Sequence, residues 1–138
     1  MHITLEADYA VRIVHCLAAA KGQRQEAKTI AESTGVTLRF SLKILRKLVA
    51  GGLVRSFKGI QGGYELAKEP KEISLNDVIE TVEGPFAISR CLCGEYICTR
   101  TNGQPCQFRN VYADISEEVV KRLSSYTFDK ALPEQPEA

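Results

Sequence analysis

Residues 27–66, AKTIAESTGVTLRFSLKILRKLVAGGLVRSFKGIQGGYEL, decide the fold. They predict a short helix over 27–33, a tight turn at Gly35 and a longer helix, which Thr37 caps and which runs to about Ala50. Two glycines then end the longer helix. This stretch therefore predicts two helices joined by a tight turn.

A glycine-rich hairpin is expected to follow. Two short strands, over 53–57 and 64–66, are joined by the sequence KGIQGG. Upstream, Thr4 can cap a first helix that ends at Gly22 and whose apolar residues repeat at helical spacing. That stripe consists of Ala10, Ile13, Val14 and Leu17. Helix, helix, turn, helix and hairpin in this order are the layout of a winged helix-turn-helix.

The third helix has one apolar and several basic faces. We expect Leu38, Leu42, Leu45 and Val49 to form its inner stripe. The basic residues would then lie on or near its outer faces: Arg39, Lys43, Arg46 and Lys47.

Charge is distributed unevenly along a chain whose formal net charge is only +1. Residues 1–70 hold 11 Lys and Arg against 6 Asp and Glu, whereas residues 71–138 hold 7 against 11. No acid occurs between Glu32 and Glu65, where six basic residues lie. This pattern favours a polyanion-binding face, the alternative being a solvated basic surface or a winged helix that binds protein.

On the first interpretation, the third helix enters the major groove of DNA. Arg39 and Lys43 would lie closest to base edges or phosphates, and Thr37 could donate to a phosphate. Lys58 at the wing tip could reach the minor groove or the backbone. Glycines at the tip would let the wing backbone approach DNA. The predicted DNA-binding set is Thr37, Arg39, Lys43, Arg46, Lys47, Lys58 and Gly59, with Gly62 and Gly63 beside it.

Four of the five cysteines lie within sixteen residues: Cys91, Cys93, Cys98 and Cys106. In a reducing compartment, grouped cysteines more often bind metal or sense redox state than form structural disulfides. Structural zinc usually takes paired Cys-x2-Cys knuckles, which the spacing Cys-x-Cys-x4-Cys-x7-Cys lacks. At this point a thiolate-held iron-sulfur cluster, zinc and a metal-free thiol sensor all remain open.

The chain divides into four predicted segments. A winged helix-turn-helix domain spans 1–84 and closes with a helix that Ser74 and Asp77 start as a capping box. A cysteine-rich loop spans 85–107. A helix over 108–128 carries an apolar stripe too long for a small domain to cover, which predicts a two-fold homodimer. The tail, 129–138, is expected to be disordered.

Motifs throughout the chain resemble the IscR/NsrR/CymR-type family of winged helix-turn-helix transcriptional regulators. They are DYAVR at 8–12, IAE at 30–32, GVT at 35–37, KILRKL at 43–48, GGLV at 51–54, GIQGGY at 59–64 and VEG at 82–84. Family members usually carry Tyr or Phe, Leu and Glu where this chain has Phe40, Ser41 and Leu42. The acidic base-reading position is therefore Leu42 here, so a different operator sequence is expected.

The resemblance implies a homodimer with a [2Fe-2S] cluster before the long helix. Cys91, Cys98 and Cys106 match the three ligating cysteines at somewhat wider spacings, and Cys93 could replace Cys91 or join it. The fourth ligand in one subgroup matches Asp8, which would come from the partner subunit; the simpler interpretation is an ion pair between Asp8 and Arg12 at i, i+4.

Other function classes find little support. A cysteine-based enzyme needs a base beside the nucleophile, and the histidines, His2 and His15, lie far upstream. No apolar run approaches the ~20 residues that span a bilayer, and a cytoplasmic protein is expected. The sequence predicts a mainly α protein with a small β-hairpin, which binds operator DNA and senses iron-sulfur status, redox state or nitric oxide. The alternative is a metal-free thiol-based or zinc-binding regulator of the same fold.

Overall fold

The structure, a computed structural model, describes residues 2–130. Its regular elements are α1 (Leu5–Ala19), α2 (Ala27–Thr34), α3 (Leu38–Ala50), β1 (Val54–Phe57), β2 (Gly63–Leu66), α4 (Leu75–Glu83) and α5 (Gln107–Ser124). The predicted class, mainly α with a small hairpin, is confirmed. No helix within residues 2–130 is long and apolar enough to cross a membrane.

Hydroxyl caps set where three helices begin, as the sequence predicts. The Thr4 hydroxyl accepts a hydrogen bond from the backbone N–H of Ala7 at the start of α1. Thr37 caps α3 in the same way. Ser74 and Asp77 form a reciprocal capping box at the start of α4. Each cap satisfies backbone donors that the first helical turn leaves without partners.

The core lies where α1 crosses α3 and α4. The predicted inner stripe of α1 is fully or almost fully buried. It packs in one cluster with Ile30 of α2, Val78 and Val82 of α4, and three residues of α3: Ile44, Leu45 and Leu48. Residues 10–82 supply most of this core, and Phe128 completes it.

The predicted inner face of α3 is right for Leu45 and Val49, which lie in or against the core, and wrong for Leu38 and Leu42. Leu38 and Leu42 remain 45% and 39% exposed, whereas Ser41, Ile44, Leu45 and Leu48 are buried. Both sets of residues have helical spacing, so periodicity alone does not choose between them. The observed face buries two leucines and an isoleucine in the core, together with the smaller Ser41. Two leucines therefore lie on the outside of α3.

The hairpin is antiparallel and pairs Val54 with Leu66 and Phe57 with Gly63. Gln25 extends it, because the backbones of Gln25 and Tyr64 exchange two hydrogen bonds of 2.9 and 2.8 Å. A Cβ on Gly63 would lie 2.7 Å from the Gln25 carbonyl oxygen, and one on Gly62 would lie 2.5 Å from that of Phe57. The hairpin's own packing therefore requires both glycines, and their predicted approach to DNA stays a prediction.

The chain returns to the winged-helix unit after α5. The predicted helix over 108–128 is too long, because α5 ends at Ser124. Phe128 then inserts into the core with 2% exposure, and its backbone N–H lies 3.1 Å from the carbonyl oxygen of Ile73. The Leu75 backbone N–H donates to the Tyr126 carbonyl. Of the predicted disordered tail, positions 131–138 lie outside the described residues.

Candidate functional site

The outer face of α3 is a basic surface with an apolar floor. A shallow groove there is lined by Thr37, Leu38, Arg39, Phe40, Leu42, Lys43 and Arg46. Arg39 and Arg46 are exposed, and neither makes an ion pair within residues 2–130. Both guanidinium groups are therefore available to a polyanion.

Two lysines of α3 are engaged by α1 instead. The Lys47 ammonium lies 2.7 Å from Glu6 Oε1, and that of Lys43 lies 3.9 Å from the same oxygen. Lys47 is half-exposed and therefore lies near the outer face, as the sequence predicts, but its ammonium group is held by Glu6. Beside this contact, the rings of Tyr9 and Phe40 pack edge to face at 5.7 Å. α1 thus holds one flank of α3.

The wing tip presents Lys58 and Gly59 with a fully exposed Ile60. Gly59 has φ of +95° and open space around it, as expected of a tip that approaches a ligand. Arg24 was not predicted: its guanidinium lies 3.5 Å from the centre of the Phe57 ring and donates to the Gln61 carbonyl. It comes from the loop before α2, and nothing in its local sequence indicates this contact.

Three of the four grouped cysteines line one cavity. Cys91, Cys98 and Cys106 border a space of about 810 Å³ between the cysteine-rich loop and the start of α5. Cys93 is exposed and does not border it; its Sγ lies 3.9 Å from the Ser89 carbonyl oxygen. The geometry favours the predicted set that uses Cys91.

The cavity is cationic. Arg90, Arg100 and Arg109 line it, and its lining residues include no aspartate or glutamate. Arg100 Nη2 lies 2.9 Å from Cys106 Sγ, and Arg109 Nε donates to the Cys91 carbonyl at 3.2 Å. Such a lining stabilises negative charge on sulfur.

Local hydrogen bonds reinforce this effect. Backbone and hydroxyl donors of Thr101 lower the pKa of the Cys98 thiol. The Arg109 backbone N–H in the first turn of α5 lowers the pKa of the Cys106 thiol, with a further contribution from Arg100. By contrast, burial raises the pKa of the Cys16 thiol. Cys98 and Cys106 are therefore better soft ligands than Cys16.

The donor set fits a thiolate-ligated group, although the donors are not gathered. Within residues 2–130, no three His, Cys, Asp or Glu side chains come together at metal-ligand spacing. Asp8 is not in the cavity lining of its own chain and forms an ion pair with Arg12 at 2.9 Å. This is the ion pair that the i, i+4 spacing indicates. Binding a metal group would require the loop to draw its thiols inward.

Two contacts that the sequence did not reveal anchor the start of the cysteine-rich loop and the start of α1. The Ile88 backbone N–H donates to Ser116 Oγ of α5 at 3.1 Å, which anchors the start of the loop. Glu83 at the end of α4 accepts hydrogen bonds from the backbone N–H and the hydroxyl of Thr4. The start of α1 is thereby held by the helix that leads into the loop.

These features define a class of protein: a winged helix-turn-helix protein with a basic reading helix and a separate cysteine-lined cavity. Over residues 3–134 the chain matches the Rrf2 family, described as iron-dependent transcriptional regulators. The chain belongs to the Rrf2 family of transcriptional regulators, and its relatives are not enzymes. Membership confirms the resemblance that the sequence motifs indicated.

Individual relatives agree with this assignment. Protein aau3 of Rhizobium meliloti is 30% identical over 99% of this chain and 88% of its own length. The transcriptional regulator NsrR of Shouchella clausii is 27% identical over 92% of this chain and 85% of its own. The solved structure of CymR, the global cysteine regulator of B. subtilis, has a TM-score of 0.75 at 26% identity, with 95% of both chains covered.

Proposed function

We propose that this protein is a cytoplasmic, homodimeric regulator whose affinity for operator DNA depends on a [2Fe-2S] cluster held by Cys91, Cys98 and Cys106. One observation carries the cluster proposal: these three thiols border one cationic cavity, and Cys93 does not. Thiolates are the ligands that hold such clusters. When bound, the cluster supplies a redox-active centre whose reduction, attack by nitric oxide or loss is the signal.

The chain's own residues prepare this cavity. The guanidinium of Arg100 contacts Cys106 Sγ and offsets thiolate charge, and Arg109 fixes the Cys91 backbone through its carbonyl. Asp8 of a second copy is the proposed fourth ligand. In that arrangement its carboxylate would exchange the Arg12 ion pair for the cluster. The first turn of α1 would then connect the cavity to the DNA-binding unit.

A route from the cavity to DNA runs through packed elements. The loop is anchored on α5 at Ser116, and α4 holds the start of α1 through Glu83. Glu6 in the first turn of α1 contacts Lys47 of α3. A displacement at the loop would therefore change the position of α3. Two half-sites must be engaged at once, so a shift of a few Å lowers operator affinity.

The exposed face of α5 supports the dimer. Phe108, Val111, Tyr112 and Ile115 lie 37 to 51% exposed along one side of this helix. A second copy offers the same stripe, so a two-fold interface buries both. The DNA contacts then come from Arg39, Arg46 and Lys43 on α3, Thr37 at its cap, and Lys58 and Gly59 on the wing, with Lys47 held by Glu6.

A metal-free thiol regulator is the second candidate. It is favoured by the hydrogen bond from Arg100 to Cys106 Sγ and by the absence of a gathered ligand set within residues 2–130. Zinc is a weaker alternative, because Cys93 lies outside the cavity and leaves three thiols instead of four.

Anaerobic purification separates these candidates. We expect wild type and Cys93→Ser to be coloured, to absorb above ~300 nm and to hold iron and sulfide at about two of each per chain. Cys106→Ser should be colourless. Stoichiometric zinc without sulfide would favour the zinc alternative, and a colourless wild type without metal would favour the thiol regulator.

A further inference from the structure

Two leucines on the outer face of α3 have no structural role in the core. Leu38 and Leu42 are 45% and 39% exposed, and the smaller Ser41 takes the buried position beside them. A leucine side chain in water contributes no hydrophobic free energy to folding, whereas burial of these side chains against the protein would stabilise the fold. Their exposure indicates an apolar surface that is reserved for something outside this chain.

Charge around Leu42 identifies the occupant. Arg39 precedes it by three residues and Arg46 follows it by four, so both guanidinium groups flank it on the helix surface. Neither makes an ion pair within the described part of the chain, and residues 33–64 contain no acid. An apolar strip bordered by free arginines complements a duplex, in which phosphates flank the edges of stacked bases.

Only one base presents an apolar group to such a strip. In the major groove, guanine, cytosine and adenine show hydrogen-bonding atoms, whereas thymine adds a C5-methyl group. A leucine packed against a polar edge would leave that edge dehydrated and without a partner. Leu38 and Leu42 lie one helical turn apart, about 6 Å along the axis, which suits contact with neighbouring base pairs.

We propose that Leu42, supported by Leu38, selects thymine in each half-site through its C5-methyl group. This inference rests on the proposed DNA-binding function and adds a specificity determinant to it. The preference for thymine at the base pair that Leu42 contacts should therefore not require a hydrogen bond from α3.

The test uses a duplex that the full-length protein selects from a random library under anaerobic conditions. Thymines are replaced by uracil, which lacks only the methyl group, at one position in both half-sites at a time. One buried methyl contributes about fourfold, so we expect the paired replacement to weaken wild-type binding roughly fifteenfold at the sensitive position. Leu42→Ala should bind thymine and uracil duplexes equally, with unchanged thermal unfolding because the side chain is exposed.

Leu5→Ala is the matched control, since Leu5 is 60% exposed on α1 and lies outside the groove. It should keep wild-type discrimination between the two duplexes. If binding is salt-dependent, two results would overturn this inference and leave the proposed DNA-binding function intact. One is equal binding of the uracil and thymine duplexes at every position. The other is continued discrimination between them by Leu42→Ala. A protein that selects no duplex would overturn the proposed function and this inference together.

Discussion

The winged-helix unit and the segment after it differ in how far they bury their side chains. α1, α3 and α4 contribute many fully buried residues to one core. In α5 only Ser116 is buried, and the apolar side chains of its exposed face remain in solvent within one chain. The first region is stabilised mainly by its own packing, whereas the exposed face of α5 would be covered only in the proposed dimer. A sensor suits this division, because a weakly packed segment responds to a ligand without unfolding the DNA-binding unit.

Phe128 is the sharpest exception to this contrast, because it follows α5 and yet is 2% exposed in the core. Phe128→Ala should lower the free energy of unfolding by about 3–5 kcal/mol, the usual cost of removing a buried phenylalanine. Urea denaturation of the full chain measures this. Tyr126→Ala removes an exposed ring two residues away and should cost less than about 1 kcal/mol. Similar small losses for both variants would show that the return of the chain contributes little.

The exposed face of α5 is tested by Ile115→Asp. A carboxylate at the centre of an apolar interface would be dehydrated without a partner, so we expect the dimer to weaken at least about a hundredfold. Light scattering across a concentration series measures the shift. Glu117→Lys, on the opposite side of α5, should leave the dimer intact. A dimer unaffected by Ile115→Asp would place the interface elsewhere.

Within α3, Arg46 makes no ion pair in the described part of the chain, whereas Lys47 contacts Glu6. Arg46→Ala should weaken operator binding about tenfold. It should also reduce the slope of log K against log salt concentration by about two, because a dimer loses one phosphate contact per chain. Lys47→Ala should have a smaller effect on the salt dependence, because Glu6 already neutralises Lys47. Binding titrations over a range of salt concentrations measure both. Equal slopes for the two variants would contradict the assignment of Arg46 as a phosphate ligand.

The cysteines should differ by several-fold in reactivity in metal-free protein. At pH 7, below the ordinary thiol pKa of about 8.5, a lowered pKa increases the thiolate fraction and a raised pKa decreases it. Cys98 and Cys106 should therefore react with iodoacetamide before Cys16, as mass spectrometry of timed samples would show. In denaturant the difference should disappear. Early labelling of Cys16 in folded protein would contradict the burial of that thiol.

Local signals in the sequence predicted most of the winged-helix unit. Threonine and serine caps and paired glycines depend only on the backbone of residues close in sequence. Thr4, Thr37 and Ser74 therefore mark helix starts correctly. The face of α3 was predicted correctly at Leu45 and Val49 but wrongly at Leu38 and Leu42, because leucines satisfy two helical registers and packing chose between them. An exposed leucine at a binding face breaks the pattern that identifies a core.

Contacts between distant residues were not predictable from the sequence. Glu6 with Lys47, Glu83 with Thr4, and Phe128 in the core join residues more than 40 positions apart. The cysteine spacing indicated a sensor, but it did not show that Cys93 lies outside the cavity.

The most direct test compares operator binding by the same protein before and after anaerobic removal of iron. The proposed coupling of the cavity to α3 predicts that the apparent Kd changes at least about tenfold while the salt dependence stays the same, because the phosphate contacts are unaltered. Identical affinities for the iron-loaded and iron-free dimer would show that the cysteine cavity does not control the reading helices.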